Sequence, residues 1–220
     1  DRLVAQALSQ HSINAYLQDL KQLVLWRGKA LSQFDKTDFA DYLRFLAGEG
    51  RNPRSVARCL SAARHFYRLQ IAEKHLQIDP TLDLESPRLG QPLPKVLSEQ
   101  DVESLLNAPD LNTALGLRDK AMLELLYACG LRVTELVSLS LDEPNLRAGF
   151  IRVRGKGSKE RLVPMGAVAR DWLIEYLQEG RPELVRGQAN EALFPSRVGG
   201  FMSRQNFWYA IKAYAKQAGI

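Results

Sequence analysis

The stretch "LRDKAMLELLYACGLRVTELVSL", residues 117–139, decides the fold of the second half of the chain. Its apolar residues recur at helical spacing as far as Gly130, a residue type that commonly ends a helix in left-handed backbone. A second short helix begins at once and places Arg132 at its N-terminal end, with Glu135 three residues later. Such an arginine can offer a guanidinium fork to a phosphate, with Glu135 holding the fork; a purely structural Arg132–Glu135 pair is the alternative.

A basic hairpin is predicted next, in "FIRVRGKGSKERLVP", residues 150–164. Ile151 and Val153 alternate with arginines, as in a strand with one buried face, and "GKGS" supplies a turn that places Lys156 at the tip. Residues 146–164 carry six Lys or Arg against the single Glu160. The spacing differs from that of a nucleotide-binding Walker loop. We expect the hairpin to enter a nucleic-acid groove, and a solubilising turn is the alternative.

A cationic helix is predicted in the first half, in "NPRSVARCLSAARHFYRLQ", residues 52–70, with Asn52 as cap and Pro53 at the first helical position. At helical spacing, one face collects basic side chains and the opposite face is apolar. Residues 51–68 contain five arginines and no acid. Without an acid to pair with, these arginines point to phosphate contact; an ordinary solvated face is the alternative. The basic residues concerned are Arg51, Arg54, Arg58, His65 and Arg68.

The fold class is therefore mainly α, in two domains. Residues 1–87 form an all-helical domain, with helices near 2–9, 12–27, 36–48 and 53–72. Residues 88–97 are a proline-rich linker, after which Ser98 and Asp101 resemble a capping box. Residues 98–220 form an α+β domain with a small antiparallel sheet and helices near 99–107, 115–129, 133–139 and 167–179, and from Ser203 onward.

Composition narrows the class of protein. The net charge is +5 and the pI about 9.3, which is mildly basic. Cys59 and Cys129 are far apart in sequence, so we expect neither a disulfide framework nor a zinc site, and a reducing cytoplasm fits. No apolar run reaches the length that spans a bilayer. The chain starts at Asp1 without a methionine, so we expect a fragment of a longer protein.

An arginine with an acid three residues later, followed by a hairpin lysine, resembles the tyrosine recombinase (phage integrase) family. The segments "LSEQDVESLL", "GKGSKERLVP" and "LFPSR" match its catalytic domain, and the helical first half resembles its core-binding domain. Two further segments, "SPRLGQPLPKVLSE" and "FMSRQNFWYAIKAYAKQAGI", are similar to those of the bacterial Xer recombinases, the XerD branch more than the XerC branch.

The resemblance implies DNA strand exchange without a metal or other cofactor. A tyrosine attacks a phosphodiester and forms a 3′-phosphotyrosyl link, and the released 5′-hydroxyl later attacks a partner strand. Arg132 and Lys156 match the first catalytic arginine and the hairpin lysine, which stabilise charge and protonate the leaving oxygen, with Glu135 in support. The DNA-binding residues would be Arg51, Arg54, Arg58, His65, Arg68, Arg154, Lys159 and Arg161.

The resemblance also implies partners. A XerD-like recombinase works on a double-stranded recombination site in a heterotetramer with a XerC-like recombinase, under a septal DNA translocase, and resolves chromosome dimers in the cytoplasm, without a membrane. A phage or transposon integrase of the same family is one alternative. A DNA-binding module without catalysis is the other.

The sequence departs from the family pattern after the hairpin. The family uses a His-x-x-Arg pair and a nucleophilic tyrosine, whereas the histidines here are His11, His65 and His75, all in the first half. Tyr209 and Tyr214 fall in an amphipathic helix, and we expect both to pack in the core. The 220-residue chain alone is therefore predicted to be catalytically incomplete.

Overall fold

The computed structural model describes residues 8, 10–87, 90, 96–155 and 160–220. The chain divides into two compact units, residues 1–94 and 95–220. The helix predicted over 2–9 falls almost entirely outside the described residues. The same holds for most of the predicted linker and for the hairpin tip at 156–159.

The first unit is built from helices at the positions predicted from the sequence. They are α1 (Gln10–Arg27), α2 (Lys36–Gly48) and α3 (Pro53–Ala72), with a 3-10 turn at Leu31–Gln33. Asn52 Oδ1 accepts from the Arg54 backbone N–H and Pro53 occupies the first turn, which confirms the predicted start of α3. Apolar faces of the three helices meet in one core, which includes Leu23, Phe39, Tyr42, Ala63 and Tyr67.

The second unit is a helical framework around one small sheet. Its helices are α4 (Glu99–Leu106), α5 (Ala114–Cys129), α6 (Val133–Val137), α7 (Gly166–Glu175), α8 (Arg181–Val185) and α9 (Arg204–Gln217), with a π-helical turn at Tyr176–Gly180. The capping box of Ser98 and Asp101 is confirmed. Gly130 ends α5 in left-handed backbone (φ 57°, ψ 33°), also as predicted.

The sheet has three antiparallel strands in the order β1 (Pro144–Asn145), β2 (Phe150–Arg154) and β3 (Glu160–Pro164). Strand β2 pairs with β3 from Phe150 opposite Pro164 to Arg154 opposite Glu160, so the predicted hairpin is confirmed; the sequence did not predict β1. Ile151 and Val153 are buried in the core of the unit.

Helix α5 is buried on nearly all sides from Gly116 to Leu125, charged residues included. Arg118 pairs with Asp119 and donates to the Pro195 carbonyl, and the Tyr214 hydroxyl of α9 donates to Asp119 (2.8 Å). Lys120 pairs with Glu124 at 2.7 Å. Because each buried charge has a partner of opposite sign, the helix can occupy the centre of the unit without an unpaired ion.

We predict that Gly116→Ala destabilises the second unit. A Cβ at Gly116, in the first turn of α5, would lie 1.8 Å from the Asp110 carbonyl oxygen, so the backbone must shift. Overpacking of this kind costs about 1 to 3 kcal/mol, which urea unfolding would measure. The control is Gly48→Ala in α2, where no described atom other than the adjoining residues and backbone of the same helix lies within 4 Å of the added methyl group. Equal unfolding midpoints for wild type and Gly116→Ala would contradict the prediction.

Candidate DNA-binding and catalytic site

The backbone of Arg132 is held by a hydrogen bond, and most of its side chain is exposed. The turn at Gly130 delivers the chain to Arg132, which precedes α6, and the Arg132 backbone N–H donates to Glu135 Oε2 (2.8 Å). Arg132 Nη1 donates to Glu135 Oε1 (3.0 Å). The arginine side chain remains 74% exposed while that of Glu135 is only 5% exposed. The predicted Arg132–Glu135 contact is therefore present, and the guanidinium remains accessible to a ligand.

Arg161 of β3 grips the same carboxylate. Its Nη1 and Nη2 atoms donate to Glu135 Oε1 (2.8 Å) and Oε2 (2.9 Å) in a two-point contact. The Arg161 hydrogen bond is the main reason that the pKa of Glu135 falls from 4.5 to about 2, against burial, which raises it. Glu135 in turn raises the pKa of Arg161. The sequence missed this contact and grouped Arg161 with the DNA-binding residues.

The base of the hairpin is also held by ion pairs. Arg154 Nε donates to Glu160 Oε1 (3.0 Å) across the last paired residues of β2 and β3, and both side chains are exposed. Arg152 contacts Asp142 at 3.3 Å. Lys156 and Lys159 lie outside the described residues, so their roles stay predictions.

The cationic face of α3 is only partly as predicted. Arg51, Arg54 and Arg68 are exposed and form no ion pair with a described residue. The premise that these arginines have no acid to pair with is wrong for Arg58, because Asp19 of α1 accepts from its Nε (2.8 Å) and Nη2 (2.9 Å). That contact raises the pKa of Arg58.

His65 is half-buried rather than exposed, and its predicted contact with DNA stays a prediction. Its ring packs against Tyr16 of α1, with centroids 6.0 Å apart. The Nε2 atom is buried and has no hydrogen-bond partner among the residues that the structure describes. His65 lines an apolar cleft between α1 and α3, together with Leu17, Val24 and Leu69. A packing role follows from these surroundings.

The two tyrosines of α9 differ. Tyr214 is half-buried and donates to Asp119, and burial raises its pKa, with the neighbouring Asp119 adding to the effect. A raised pKa disfavours the phenolate that a nucleophile needs, so Tyr214 fits the predicted packing role. Tyr209 is 56% exposed, so the expectation that it packs in the core is wrong.

Comparison with known proteins gives the family of this arrangement. Residues 95–220 match the model described as the phage integrase family, and residues 3–74 match the phage integrase N-terminal SAM-like domain. The chain belongs to the phage integrase family of tyrosine recombinases. The predicted resemblance and the predicted fold class are both confirmed.

Relatives place this recombinase near XerD. It is 52% identical to the tyrosine recombinase XerD of Pseudomonas putida over 98% of this chain and 73% of that protein. It is 48% identical to that of Pseudomonas aeruginosa over the same shares. The fold matches the crystal structure of the XerH recombinase bound to its difH substrate after cleavage, with a TM-score of 0.76 and 20% identity, over 94% of this chain and 63% of that one.

Two other features of the recombinase bear on its chemistry. Among the described residues, no cluster of three or more His, Cys, Asp or Glu side chains could hold a metal ion. Asp142 and Glu143 serve local structure, since each accepts a hydrogen bond from Ser140.

No helix in the described part of the chain combines the length and the apolar character needed to cross a membrane.

We predict that Glu135 makes the stability of the recombinase depend on pH. Its folded pKa of about 2 lies below the ordinary 4.5, so its contribution is present above pH 4.5 and is lost as the pH falls toward 2. The stability difference between wild type and Glu135→Gln, measured by urea unfolding, should therefore shrink over that range. A difference that stays constant would show that Glu135 does not titrate as inferred.

Proposed function

We propose that the protein is a site-specific tyrosine recombinase which cuts and rejoins double-stranded DNA through a 3′-phosphotyrosyl intermediate. The observation that carries this function is the exposed Arg132 guanidinium, anchored by a buried carboxylate beside a basic hairpin. The 52% identity to a tyrosine recombinase supports it. We assign DNA clamping to residues 1–87, the linker to 88–97 and the chemistry to 98–220.

The chemistry needs cations where charge develops. When the tyrosine oxygen attacks phosphorus, negative charge builds on the non-bridging oxygens, and the exposed fork of Arg132 suits that charge. The P–O5′ bond then breaks and the 5′-oxygen takes a proton, a role we assign to Lys156. We assign the nucleophile and the His-x-x-Arg pair to no residue of this chain.

Binding draws on both units. We propose phosphate contacts for Arg51, Arg54 and Arg68 on α3, because their exposed side chains are available to DNA. In the hairpin we propose Arg154 and Lys159. Arg58 can contribute less, since Asp19 already neutralises it. Phosphate contacts of this kind fix the position of the protein on the duplex without reading its sequence.

The finer role follows from the relatives. We propose that the protein works as a XerD-type recombinase in the cytoplasm, paired with a XerC-like recombinase in a heterotetramer and activated by a septal DNA translocase, to resolve chromosome dimers. Its similarity to XerD proteins supports this role over that of a phage or transposon integrase. Preference for a chromosomal two-half-site sequence over a phage attachment site would separate the two roles.

Our prediction for DNA binding concerns salt. Each phosphate contact releases counterions, so Arg54→Ala and Arg68→Ala should each reduce the slope of log affinity against log salt by about 0.9. Fluorescence anisotropy with a labelled duplex would measure it. Arg58→Ala should change the slope less. Arg44→Ala is the matched control, since Arg44 is an exposed arginine of α2 that contacts Asp41. Slopes unaltered in both α3 variants would refute the proposed contacts.

Our prediction for catalysis concerns Arg132. In the full-length natural protein, Arg132→Ala should raise the activation free energy for formation of the covalent adduct on a nicked suicide substrate by on the order of 3 kcal/mol or more. The loss of binding free energy should be far smaller. Arg132→Lys keeps the charge and loses the fork, so its rate of adduct formation should lie between those of wild type and Arg132→Ala. Equal losses of binding and cleavage would argue for a structural arginine.

The 220-residue chain belongs in the same assay. We expect it to bind DNA and to form no adduct on a denaturing gel. An adduct with this chain would identify a tyrosine such as the exposed Tyr209 as the nucleophile and would overturn the expectation of incompleteness. If the full-length protein forms no adduct on any candidate site, the proposed recombinase function is wrong.

A further inference from the structure

The Glu135 carboxylate receives four hydrogen bonds, two from each of two arginines. Oε1 accepts from Nη1 of Arg132 and Nη1 of Arg161, and Oε2 accepts from the Arg132 backbone N–H and from Nη2 of Arg161. A carboxylate offers about four acceptor sites, so these bonds fill its capacity. Its orientation is therefore fixed from two directions: by its own helix and by strand β3.

The contribution of Arg161 differs from that of Arg132. Both Nη groups of Arg161 face Glu135, and its side chain is 41% exposed, against 74% for Arg132. To bind a phosphate with this fork, Arg161 would have to take two of its four hydrogen bonds away from a buried carboxylate, which is costly. Arg132 gives Glu135 a single side-chain nitrogen and keeps its remaining donors accessible.

The second arginine changes the net charge of the cluster formed by Arg132, Arg161 and Glu135. Two arginines and one carboxylate carry a net charge of +1, and the more exposed of the two arginine side chains is that of Arg132. Without Arg161, Glu135 would neutralise Arg132 alone and would draw its guanidinium into a two-point contact. The contact also joins α6 to the strand that follows the hairpin tip, across 26 residues of sequence.

We propose that Arg161 is a positioning residue for strand cleavage: it fills the acceptor sites of Glu135 and thereby holds the Arg132 guanidinium oriented toward the DNA phosphate. This inference rests on the proposed recombinase function and replaces the prediction that Arg161 contacts DNA. Lys156 precedes β3 in the sequence. The Arg161–Glu135 contact therefore also sets the distance between β3 and Arg132.

The test compares binding with cleavage in the full-length natural protein on a suicide substrate. For Arg161→Gln we expect a salt slope like that of wild type and single-turnover cleavage slower by roughly 100-fold, the size of effect that a small misplacement of a catalytic group produces. Arg170→Gln is the matched control, because Arg170 is 39% exposed and pairs with Asp171 on α7. It should leave both quantities unchanged.

A double-mutant cycle separates positioning from direct contact. If Arg161 acts through Glu135, Arg161→Gln should have little further effect on cleavage in a Glu135→Gln background. Arg161→Lys keeps the charge but cannot make the two-point contact, so we expect intermediate cleavage. This variant also serves if Arg161→Gln does not fold.

Two results would overturn the inference. One is a salt slope reduced by about 0.9 in Arg161→Gln with a matching loss of binding, the signature of a phosphate contact. The other is wild-type cleavage by Arg161→Gln. The first is a binding result and the second requires that wild type forms the adduct, so both are distinct from a failure of the recombinase function, in which wild type forms none.

Discussion

The cationic site depends on the pairing of the buried Glu135 carboxylate with Arg132 and Arg161. Removing a carboxylate from water costs several kcal/mol unless its oxygens are fully paired, and here two arginines supply the pairing. The acid thus constrains both of them: Arg132 through a turn of local helix and Arg161 through the packing of a strand. One buried group converts two flexible side chains into a fixed arrangement in which Arg132 is the more exposed of the two.

Sequence reasoning reached the parts of this arrangement that are local. Gly130 ends α5 and Glu135 follows Arg132 by three residues, so short-range geometry brings that pair together. The hairpin followed from alternation and turn residues. The contact of Arg161 with Glu135 could not be predicted, because it depends on how β3 packs beside α6, a tertiary relation that no spacing encodes.

The errors in the first unit have the same origin. Helical periodicity places Arg58 and His65 on one face with Arg54 and Arg68, and that geometry is sound for an isolated helix. Periodicity does not say which part of the face a neighbouring helix covers. Helix α1 supplies Asp19 to Arg58 and Tyr16 to His65, so it pairs one basic side chain in the middle of the face and packs against the other. Tyr209 shows the reverse case, a residue assigned to the core that α9 leaves exposed.

The hydrogen bond between Tyr214 and Asp119 bears on the order in which the second unit assembles. The two residues are 95 positions apart in the sequence. In the β2–β3 hairpin, by contrast, the pair next to the turn, Arg154 and Glu160, is separated by only a few residues. Loop closure costs more entropy as the loop lengthens, so the hairpin can form early and α9 docks late. During synthesis, Asp119 is made long before Tyr214 and has Arg118 of its own helix as its nearest partner. The docking of α9 therefore adds the last hydrogen bond to a polar cluster that Arg118 and Asp119 begin within their own helix.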